Sequence, residues 1–578
     1  MSEKAVRNDA PKQNLALNNM RHSTAHLVAH AVCELFPNTL LTIGPVTDEG
    51  FFYDFLPERT FKDEDLPLIE AKMREIVARN LPITQREIDK KEAEKLFANN
   101  PFKLELIHAI PGDTVGISQQ GDFYDLCKGG HTTSTEQIQF FKLLNISGSY
   151  WRADRSKQAL QRITGTAFCS EKEFKAYEKM IEDAKLYDHR RLGKQLDLFS
   201  FHDEGPGFAF FHPRGTRIIE GMKKYITQKL NAADFQPVIT PVLLNDELWK
   251  QSGHYEHYKE NMYFCTVDEK NYALRPMNCP CHCLVYKNRP RSYRELPLRL
   301  SEFGLVHRYE LSGVMHGLLR VRAFTQDDGH IFCMPEQIEN EVLLNINMSF
   351  ELLKKFGFEK VIVGVATRPE NSMGSDESWE NATQALKSAL ERANVPYEIY
   401  EGEGAFYGPK IEFRVADSMG RLWQCSTVQV DFSMPEKFGL TYVASSGKLE
   451  CPVMIHRAIF GSLERFLGVL LEHYKGNLPF WLAPVQIKVL TITDEQKAYA
   501  QNIYDTLKKE GLRVEQDQSS DPISGQIKNA QLEKVPWMIV IGPKEVEQNV
   551  VSIRHRDGKQ EFGLSLEQLL TKARELNQ

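Results

Sequence analysis

Residues 298–333 read LRLSEFGLVHRYELSGVMHGLLRVRAFTQDDGHIFC, and residues 275–283, shortly before them, read RPMNCPCHC. Around these stretches, strand-like and helix-like segments follow one another without the regular βαβ alternation of a doubly wound parallel sheet. The sequence therefore predicts an α+β domain built on an antiparallel sheet.

The length and composition of the chain indicate several soluble domains. At 578 residues, 42% of them hydrophobic and 26% charged, the chain is too long for one core and has no apolar run of membrane-spanning length. Its polar N-terminus lacks a secretory signal, which predicts a cytoplasmic protein. The ten cysteines are then better interpreted as buried thiols, metal ligands or reactive groups than as disulfides.

The formal charge of −7 does not by itself suggest a nucleic-acid partner. It does not exclude one either, because attraction to phosphates is screened beyond about 8 Å at physiological salt and local basic patches can hold an RNA.

Sequence patterns divide the chain into a tail, two α+β domains joined by a helical connector, and a C-terminal α/β domain. An amphipathic helix is predicted for Arg21–Phe36, and two helices joined at Leu81 and Pro82 are predicted across Asp63–Ala98. The connector is predicted as a charged, exposed helix over Glu171–Lys194. The expected boundaries are a polar tail at 1–18, an N-terminal domain at 19–170, the connector at 171–200, a central domain at 201–480 and a C-terminal domain at 481–578.

The central domain opens with a glycine- and proline-rich loop at 205–215. A helix is predicted for Thr216–Ala232 and a strand for the VITPVLL segment at 238–244. From Pro484 onward, the strand-like VQIKVLTI, a helix and the strand-like WMIVIG predict βαβ alternation.

The stretch at 298–333 resembles motif 2 of the class II aminoacyl-tRNA synthetases, and specifically that of the threonyl-tRNA synthetases. VHRYE at 306–310 matches the FRxE element, and RVRAFTQDD at 320–328 is a long and specific match. The resemblance implies that Arg308 binds the α-phosphate of ATP, where a planar guanidinium can follow the growing charge. It also implies that Glu310 binds the adenine amino group, Phe324 stacks on the base and Arg320 reaches the γ-phosphate.

Two further segments match the family more weakly. Residues 212–244 fit motif 1, which implies a homodimer interface, although any helix followed by a strand gives a similar pattern. Residues 456–473 fit motif 3, in which Arg465 would hold the γ-phosphate. An exposed helical arginine is usually only solvated, so this assignment depends on motif 2.

The same resemblance implies one zinc ion per subunit, bound by Cys279, His330 and His456. Spacing alone would not bring these residues together, and singly they are better interpreted as core residues. One thiolate and two imidazoles leave a position open for substrate. Threonine would fill it with its amino and hydroxyl groups, assisted by Asp328, whereas valine lacks the hydroxyl and is rejected.

Cys281 stands where the family usually has glycine. We expect it to point away from the metal, because residues i and i+2 do not share a helix face.

The resemblance also places several residues around the amino acid and ATP. Lys410 is expected to act in catalysis with Arg308 and Arg465, and ATP is expected to enter with Mg²⁺. The remaining substrate-binding residues are Met277, Tyr407, Gln424 and Gln429.

A second set of histidine and cysteine residues lies in the N-terminal domain. His22 and His26 are four residues apart, as are Cys127 and His131, so each pair has the spacing of one helical turn. On chemistry alone, this is a plausible zinc site. The resemblance favours an editing domain working without metal, because four protein ligands would leave little room for an attacking water.

An editing domain is needed because serine differs from threonine by one methyl group, worth about 1–3 kcal/mol of discrimination. Lys103 and Asp125 are further matches to this domain, and the lysine suits a developing oxyanion. Lys128 and Gly130 replace the family's usual arginine and proline.

The C-terminal domain resembles the anticodon-binding domain of class II synthetases. Glu545 and Arg554 match residues that read threonine anticodons. SSDPISGQIK at 519–528 replaces the family's RNEKIGYKIR, which changes part of the expected base-reading surface. The family's ubiquitin-like N-terminal domain is missing, so a shortened form is expected.

The resemblance thus implies an enzyme that joins L-threonine to tRNA(Thr) with ATP and hydrolyses mischarged seryl-tRNA(Thr). A prolyl-type class II synthetase is the nearest alternative, and the set Cys279, His330, His456 and Asp328 argues against it. A second alternative is an RNA-binding regulator without catalysis. Arg308 and Arg465 argue against that alternative.

Overall fold

The computed structural model describes residues 10–47, 49–154, 156–417, 420–517, 519 and 521–577. The chain divides into two compact units, Met1–Ile181 and Glu182–Gln578. Among the described residues, no helix combines the length and the apolar character needed to span a lipid bilayer.

The first unit combines helices with two antiparallel sheets. The larger sheet has the order β1-β3-β8-β7, with β2 paired to β3, and the smaller has the order β4-β5-β6. The helices are α1 (Ala10–Leu35), α2 (Asp65–Ala78), α3 (Lys90–Leu96), α4 (Pro101–Ala109) and α5 (Glu171–Leu186). The strands are β1 (Leu40–Leu41), β2 (Val46–Thr47), β3 (Gly50–Leu56), β4 (Ile83–Asp89), β5 (Thr114–Gln120), β6 (Phe123–Leu126), β7 (Phe140–Tyr150) and β8 (Ala159–Phe168).

Two predictions for this unit need correction. Helix α1 begins at Ala10, so the second half of the predicted polar tail is helical, and residues 1–9 lie outside the described residues. The prediction of two adjoining helices across Asp63–Ala98 is wrong, because the edge strand β4 separates α2 from α3. The exposed charged residues of β4 resemble those of a solvated helix.

The connector is two helices rather than one. Helix α5 has no buried residue, as predicted for an exposed connector, and it ends at Leu186. Asp188 caps the second helix, α6 (His189–Gln195), by accepting from the backbone N–H of Arg190. This part of the predicted exposed connector is not exposed throughout, because His189 and Leu192 are buried.

The central part of the second unit is an eight-stranded, largely antiparallel sheet of order β11-β15-β16-β23-β20-β19-β17-β18, which confirms the predicted fold class. Its further helices are α7 (Pro213–Ala232), α8 (Asp246–Gln251), α9 (His254–His257), α10 (Cys279–Lys287), α11 (Ile338–Lys355), α12 (Asp376–Arg392), α13 (Ser433–Lys437) and α14 (Leu463–His473). Its strands are β9 (Phe199–Ser200), β10 (Phe210–Phe211), β11 (Gln236–Pro237), β12 (Leu243–Asn245), β13 (Tyr263–Val267), β14 (Lys270–Leu274), β15 (Leu298–His307), β16 (Ala323–Cys333), β17 (Ile362–Ala366), β18 (Glu398–Tyr400), β19 (Lys410–Ala416), β20 (Leu422–Asp431), β21 (Tyr442–Val443), β22 (Leu449–Glu450) and β23 (Val453–Ser462).

The strand predicted for residues 238–244 forms only at its end, where Leu243 and Leu244 begin β12. Strand β11 ends at Pro237 and β12 begins at Leu243, and the residues between them are not in a strand. Pro241 lacks the N–H that a continuous ladder needs. Ile239 in this interval is 97% exposed.

The C-terminal part of the second unit is a five-stranded mixed sheet of order β25-β24-β26-β27-β28. Strands β25, β24 and β26 run parallel, which confirms the predicted βαβ alternation, and β27 and β28 complete the sheet antiparallel. The strands are β24 (Ile487–Thr491), β25 (Val514–Gln516), β26 (Trp537–Ile541), β27 (Val551–His555) and β28 (Gln560–Leu564). The helices are α15 (Lys497–Lys509), α16 (Ile523–Leu532), α17 (Pro543–Gln548) and α18 (Leu566–Leu576).

Candidate active site and a second histidine cluster

A cavity of about 330 Å³ lies over the central sheet and collects most of the predicted active-site residues. Phe324, Gln326, Asp328 and His330 all line it, because alternate residues of β16 face the same side of the sheet. The other predicted residues that line it are Met277, Cys279, Arg308, Tyr407, Lys410, Gln424, Gln429, His456 and Arg465. Gln326 was missed by sequence reasoning, although the period-two pattern of the strand could have found it.

Cys279, His330 and His456 meet at one end of this cavity. Cys279 is the first residue of α10, and His330 and His456 are direct partners on the neighbouring strands β16 and β23. The three candidate ligand atoms lie within 4.8 Å of one another, and all three residues are buried. His330 Nε2 is 3.1 Å from His456 Nδ1.

The donor set fits a zinc ion. Asp431 Oδ2 lies 2.9 Å from His456 Nε2. A carboxylate can only accept, so the proton of His456 is on Nε2 and the lone pair of Nδ1 faces the cluster. Burial raises the pKa of the Cys279 thiol well above its usual range, and only a cation would make a thiolate favourable there. One sulfur and two imidazole nitrogens match the ligands of a zinc site with an open position.

Cys281 lies outside this cluster, as predicted. Its thiol lies near Thr240 and Arg275, and it is not among the three candidate ligands.

Asp328 lies beside the candidate metal site and is held in place by two donors. Its carboxylate accepts from Asn278 Nδ2 at 2.9 Å and from the N–H of Gly329 at 3.0 Å. The position of Asn278 requires a glycine at 304, because a Cβ atom there would lie 2.4 Å from the Asn278 amide. Asp328 Oδ1 is 3.8 Å from His330 Nε2, so the carboxylate borders the position open to a substrate.

Tyr407 and Lys410 are each paired with a neighbouring side chain. The Tyr407 hydroxyl donates to Gln429 Oε1 at 2.9 Å. Lys410 Nζ lies 2.6 Å from Glu412 Oε1. The tyrosine ring also lies against the imidazole of His456, with centroids 4.9 Å apart.

Arg308 and Arg465 add positive charge to the cavity wall. The guanidinium of Arg308 lies 5.1 Å from the ring centre of Phe324 and 5.6 Å from that of Tyr258. Arg465 projects from α14, directly after β23, and donates to the carbonyl of Leu319 at 3.2 Å. Burial lowers the pKa of Arg465 from its ordinary value. Two arginines in a cavity wall suit a polyanion such as a triphosphate.

The predicted residues Glu310 and Arg320 contact each other instead of the cavity. Arg320 Nε donates to Glu310 Oε2 at 3.0 Å, and neither residue is part of the cavity lining.

The second cluster lies in the first unit and contains His22, His26, Cys127 and His131. Their candidate ligand atoms also lie within 4.8 Å of one another. Cys127 Sγ is 3.0 Å from His131 Nε2 and 3.5 Å from His22 Nε2. Burial lowers the pKa of His22, lowers that of His131 to about 3 and lowers that of His26 well below its usual range. Neutral imidazoles of this kind can accept a proton or bind a metal.

A buried ion pair adjoins the second cluster. Lys103, on α4, pairs with Asp125, and its ammonium also donates to the Tyr53 hydroxyl at 3.2 Å. The Tyr53 hydroxyl donates to Asp125 Oδ2 at 2.5 Å, and His26 Nδ1 lies 3.9 Å from the same oxygen. Tyr53 was missed by sequence reasoning, because it lies on β3, far from the other residues in sequence.

The two predicted anticodon-binding residues lie in the C-terminal sheet region. Glu545, on α17, accepts from the N–H of Gly542 at 3.0 Å and from Ser552 Oγ at 2.7 Å, so both of its oxygens have partners within the domain. Arg554 is half-buried on β27. The altered stretch at 519–528 leads into α16, which begins at Ile523.

The antiparallel sheet and the arginine-lined cavity define the class of protein, a class II aminoacyl-tRNA synthetase. The model "tRNA synthetase class II core domain (G, H, P, S and T)" matches residues 263–474, and "Anticodon binding domain" matches 482–576. "Threonyl and Alanyl tRNA synthetase second additional domain" matches residues 115–164 in the first unit.

Whole-chain relatives narrow the class to one family. The threonine–tRNA ligase of Carboxydothermus hydrogenoformans is 50% identical over 562 residues, covering 96% of this chain and 88% of the relative. That of Clostridium tetani is 52% identical over 556 residues, covering 96% and 87%. A solved structure of the RNA binding domain of threonyl-tRNA synthetase from Cryptosporidium parvum matches with a TM-score of 0.66 and 43% identity over 67% of this chain and 98% of that chain. The chain therefore belongs to the threonine–tRNA ligases, the class II enzymes that join threonine to tRNA, and it carries the family's editing domain.

Proposed function

We propose that the cavity of the central domain activates L-threonine with ATP and transfers it to tRNA(Thr), using a zinc ion bound by Cys279, His330 and His456. The observation that carries this proposal is the convergence of three buried donor atoms within 4.8 Å at one end of an arginine-lined cavity. A bound Zn²⁺ would act as a Lewis acid that binds the amino and hydroxyl groups of threonine.

The residues around the metal site select threonine. Asp328 accepts hydrogen bonds from the substrate's amino and hydroxyl groups, and Tyr407, Gln429 and Met277 line the space around the amino acid. Valine has the same size but leaves Asp328 and the zinc without a hydroxyl partner. A site built to bind a hydroxyl rejects such an analogue by about 10⁴-fold or more.

The arginine-lined end of the cavity binds ATP together with Mg²⁺. Arg308 binds the α-phosphate, Arg465 the γ-phosphate, and Phe324 stacks on adenine, while Lys410 and Gln424 complete the reacting centre. Arg320 and Glu310 reach the γ-phosphate and the adenine amino group after their mutual ion pair opens.

The first unit hydrolyses seryl-tRNA(Thr) at the cluster of His22, His26, Cys127 and His131, without metal. The adjacent Lys103 stabilises the oxyanion that forms as water attacks the ester, and Asp125 holds the lysine in place. The occupied zinc site remains the alternative, since the four donor atoms are close enough to share an ion.

The remaining proposals concern the other domains. The editing domain spans 19–170, the connector 171–200, the catalytic domain 201–480 and the anticodon-binding domain 481–578, in which Glu545 and Arg554 read the anticodon. The enzyme works in the cytoplasm, where tRNA is charged.

The enzyme is a homodimer assembled through motif 1. A groove of about 480 Å³ runs beside this segment, and its lining includes the apolar side chains of Leu230, Val238 and Phe303. Ile239 at its border is almost fully exposed. A subunit contact would remove this apolar surface from water.

The proposed reaction is tested by exchange of labelled pyrophosphate into ATP with one amino acid at a time. Threonine should support exchange, with valine about 10⁴-fold weaker and proline silent. A signal with proline would favour the prolyl alternative. Silence with every amino acid would favour an RNA-binding regulator.

A further inference from the structure

A line of hydrogen bonds leads from His330 into the protein interior. His330 Nδ1 lies 2.8 Å from His282 Nδ1, and His282 Nε2 lies 3.1 Å from Glu302 Oε2. Glu302 is held by Thr240, whose N–H donates to Oε1 at 3.0 Å, and by Arg275, which donates to the same oxygen at 3.1 Å. His282, His330 and Glu302 are all buried.

The direction of each hydrogen bond follows from Glu302. Burial opposes the charge of this carboxyl, but hydrogen bonds from His282 and Thr240 bring its pKa down to about 2, so it is a carboxylate and can only accept. His282 must therefore donate from Nε2, and its Nδ1 has only a lone pair. His330 must in turn donate from Nδ1 to that lone pair. The Nε2 atom of His330 is then left without a proton and faces the cluster.

The same argument applies to the second imidazole ligand, His456, because Asp431 fixes its proton on Nε2. Two imidazole lone pairs thus face each other across 3.1 Å with no proton between them. Such an arrangement is repulsive unless a cation stands near both nitrogens.

We propose that Glu302, acting through His282, holds His330 in the one tautomer that can bind the catalytic zinc. Both are positioning residues, since neither contacts the substrate or the ion. The inference rests on the proposed function of the zinc site. It adds a relay, Glu302 and His282, that orients the ligand His330. Partners behind metal-binding histidines raise metal affinity by about 10–100-fold.

Glu302→Gln tests the direction of the relay with almost no change in shape. Oε1 accepts from the fixed Thr240 N–H and from Arg275 Nη2, whereas Oε2 accepts from the Thr240 hydroxyl, which can rotate to accept instead, and more weakly from Arg275 Nη1. The oxygen of a glutamine is therefore expected at the Oε1 position. Its amide nitrogen then replaces Oε2 and donates to His282 Nε2. His282 is forced to donate from Nδ1, and the proton of His330 moves to Nε2, where it blocks the metal-facing lone pair.

The measurement is the zinc dissociation constant of the full chain, obtained by competition with a chromophoric chelator. Glu302→Gln should weaken zinc binding by about 10–100-fold. Replacing the zinc with Co²⁺ gives a second readout, since loss of one imidazole ligand changes the visible absorption of the bound ion. The matched control is Glu341→Gln, which alters another buried carboxylate of the same domain, one whose two oxygens both accept from Arg299.

His282 provides an independent pair of variants in case Glu302→Gln does not fold. His282→Gln retains an oxygen to accept from His330 and an amide to donate to Glu302, and it should keep zinc affinity within about threefold of the wild-type value. His282→Leu removes both and should lose about 10–100-fold. Equal zinc affinity in the wild type and in folded Glu302→Gln or His282→Leu would overturn the relay while leaving the zinc site intact. A wild-type chain that binds no zinc would overturn the proposed function as well.

Discussion

The two clusters of histidine and cysteine use the same residue types in different electrostatic surroundings. Around Cys279, His330 and His456, the nearby carboxylates of Asp431 and Asp328 add negative charge. Around His22, His26, Cys127 and His131, the nearest charges are the ammonium of Lys103 and the carboxylate of Asp125, which neutralise each other.

The ring nitrogens that face away from each cluster also differ in the charge of their partners. His456 faces a carboxylate, and His330 reaches one through His282. In the second cluster, His22 Nδ1 and His131 Nδ1 lie 3.2 Å from neutral partners, the Gly130 carbonyl and the Ser23 hydroxyl, and His26 Nδ1 is buried without a hydrogen-bond partner among the described residues. The spacing of candidate ligands alone therefore does not distinguish a metal site from a site that hydrolyses an ester with water. The charge of the groups that are hydrogen-bonded to the ligands, directly or through another residue, does distinguish them. It favours zinc in the central domain only.

The largest expected effect comes from removing the thiol of the central cluster. Cys279→Ala should lose both zinc and threonine-dependent pyrophosphate exchange, by on the order of 10⁴-fold, because the hydroxyl of threonine loses the group that reads it. This prediction is checked by measuring pyrophosphate exchange and zinc content in the same preparation. The corresponding variant of the other cluster, Cys127→Ala, should retain exchange. Full activity of Cys279→Ala without metal would refute the zinc role.

The next largest effect concerns hydrolysis at the second cluster. Replacing His22 and His26 by alanine should slow seryl-tRNA(Thr) hydrolysis by about 10²–10⁴-fold, the usual contribution of proton transfer, and leave threonine charging unchanged. Hydrolysis of isolated seryl-tRNA(Thr) is the measurement, and initial threonylation rate is the control. Unaltered hydrolysis would remove the editing role from this cluster.

The smallest expected effect concerns the stability of α4, the helix that carries Lys103. Asn100 caps α4 by accepting from the N–H groups of Phe102 and Lys103. Asn100→Ala should lower the opening free energy of α4 by about 1 kcal/mol, measured by hydrogen exchange of its amides in the full chain. Asn245→Ala, which uncaps α8 in the central domain, is the matched control and should leave α4 unchanged.

The class of fold and many of the residues that line the cavity could be predicted from the sequence, because several segments match the family and the longest of them, motif 2, lies on one strand pair. The side chains of Phe324, Asp328 and His330 share a face simply by alternation along β16. The register that brings His330 opposite His456 depends on pairing between distant strands, and only the resemblance suggested it.

Other features depend on tertiary contacts that no local pattern encodes. His282 is one turn beyond Cys279 on α10, but its role depends on Glu302 from β15. Tyr53 contacts Lys103 and Asp125 from a different sheet of the first unit. Strand β4 was mistaken for a helix because an exposed edge strand and an exposed helix have similarly charged sequences.

The number of zinc ions bound per chain tests the difference between the two clusters most directly. The account predicts one zinc in the wild type, one in Cys127→Ser and none in Cys279→Ser, each measured by elemental analysis after exhaustive dialysis. Two ions in the wild type, falling to one in Cys127→Ser, would contradict it.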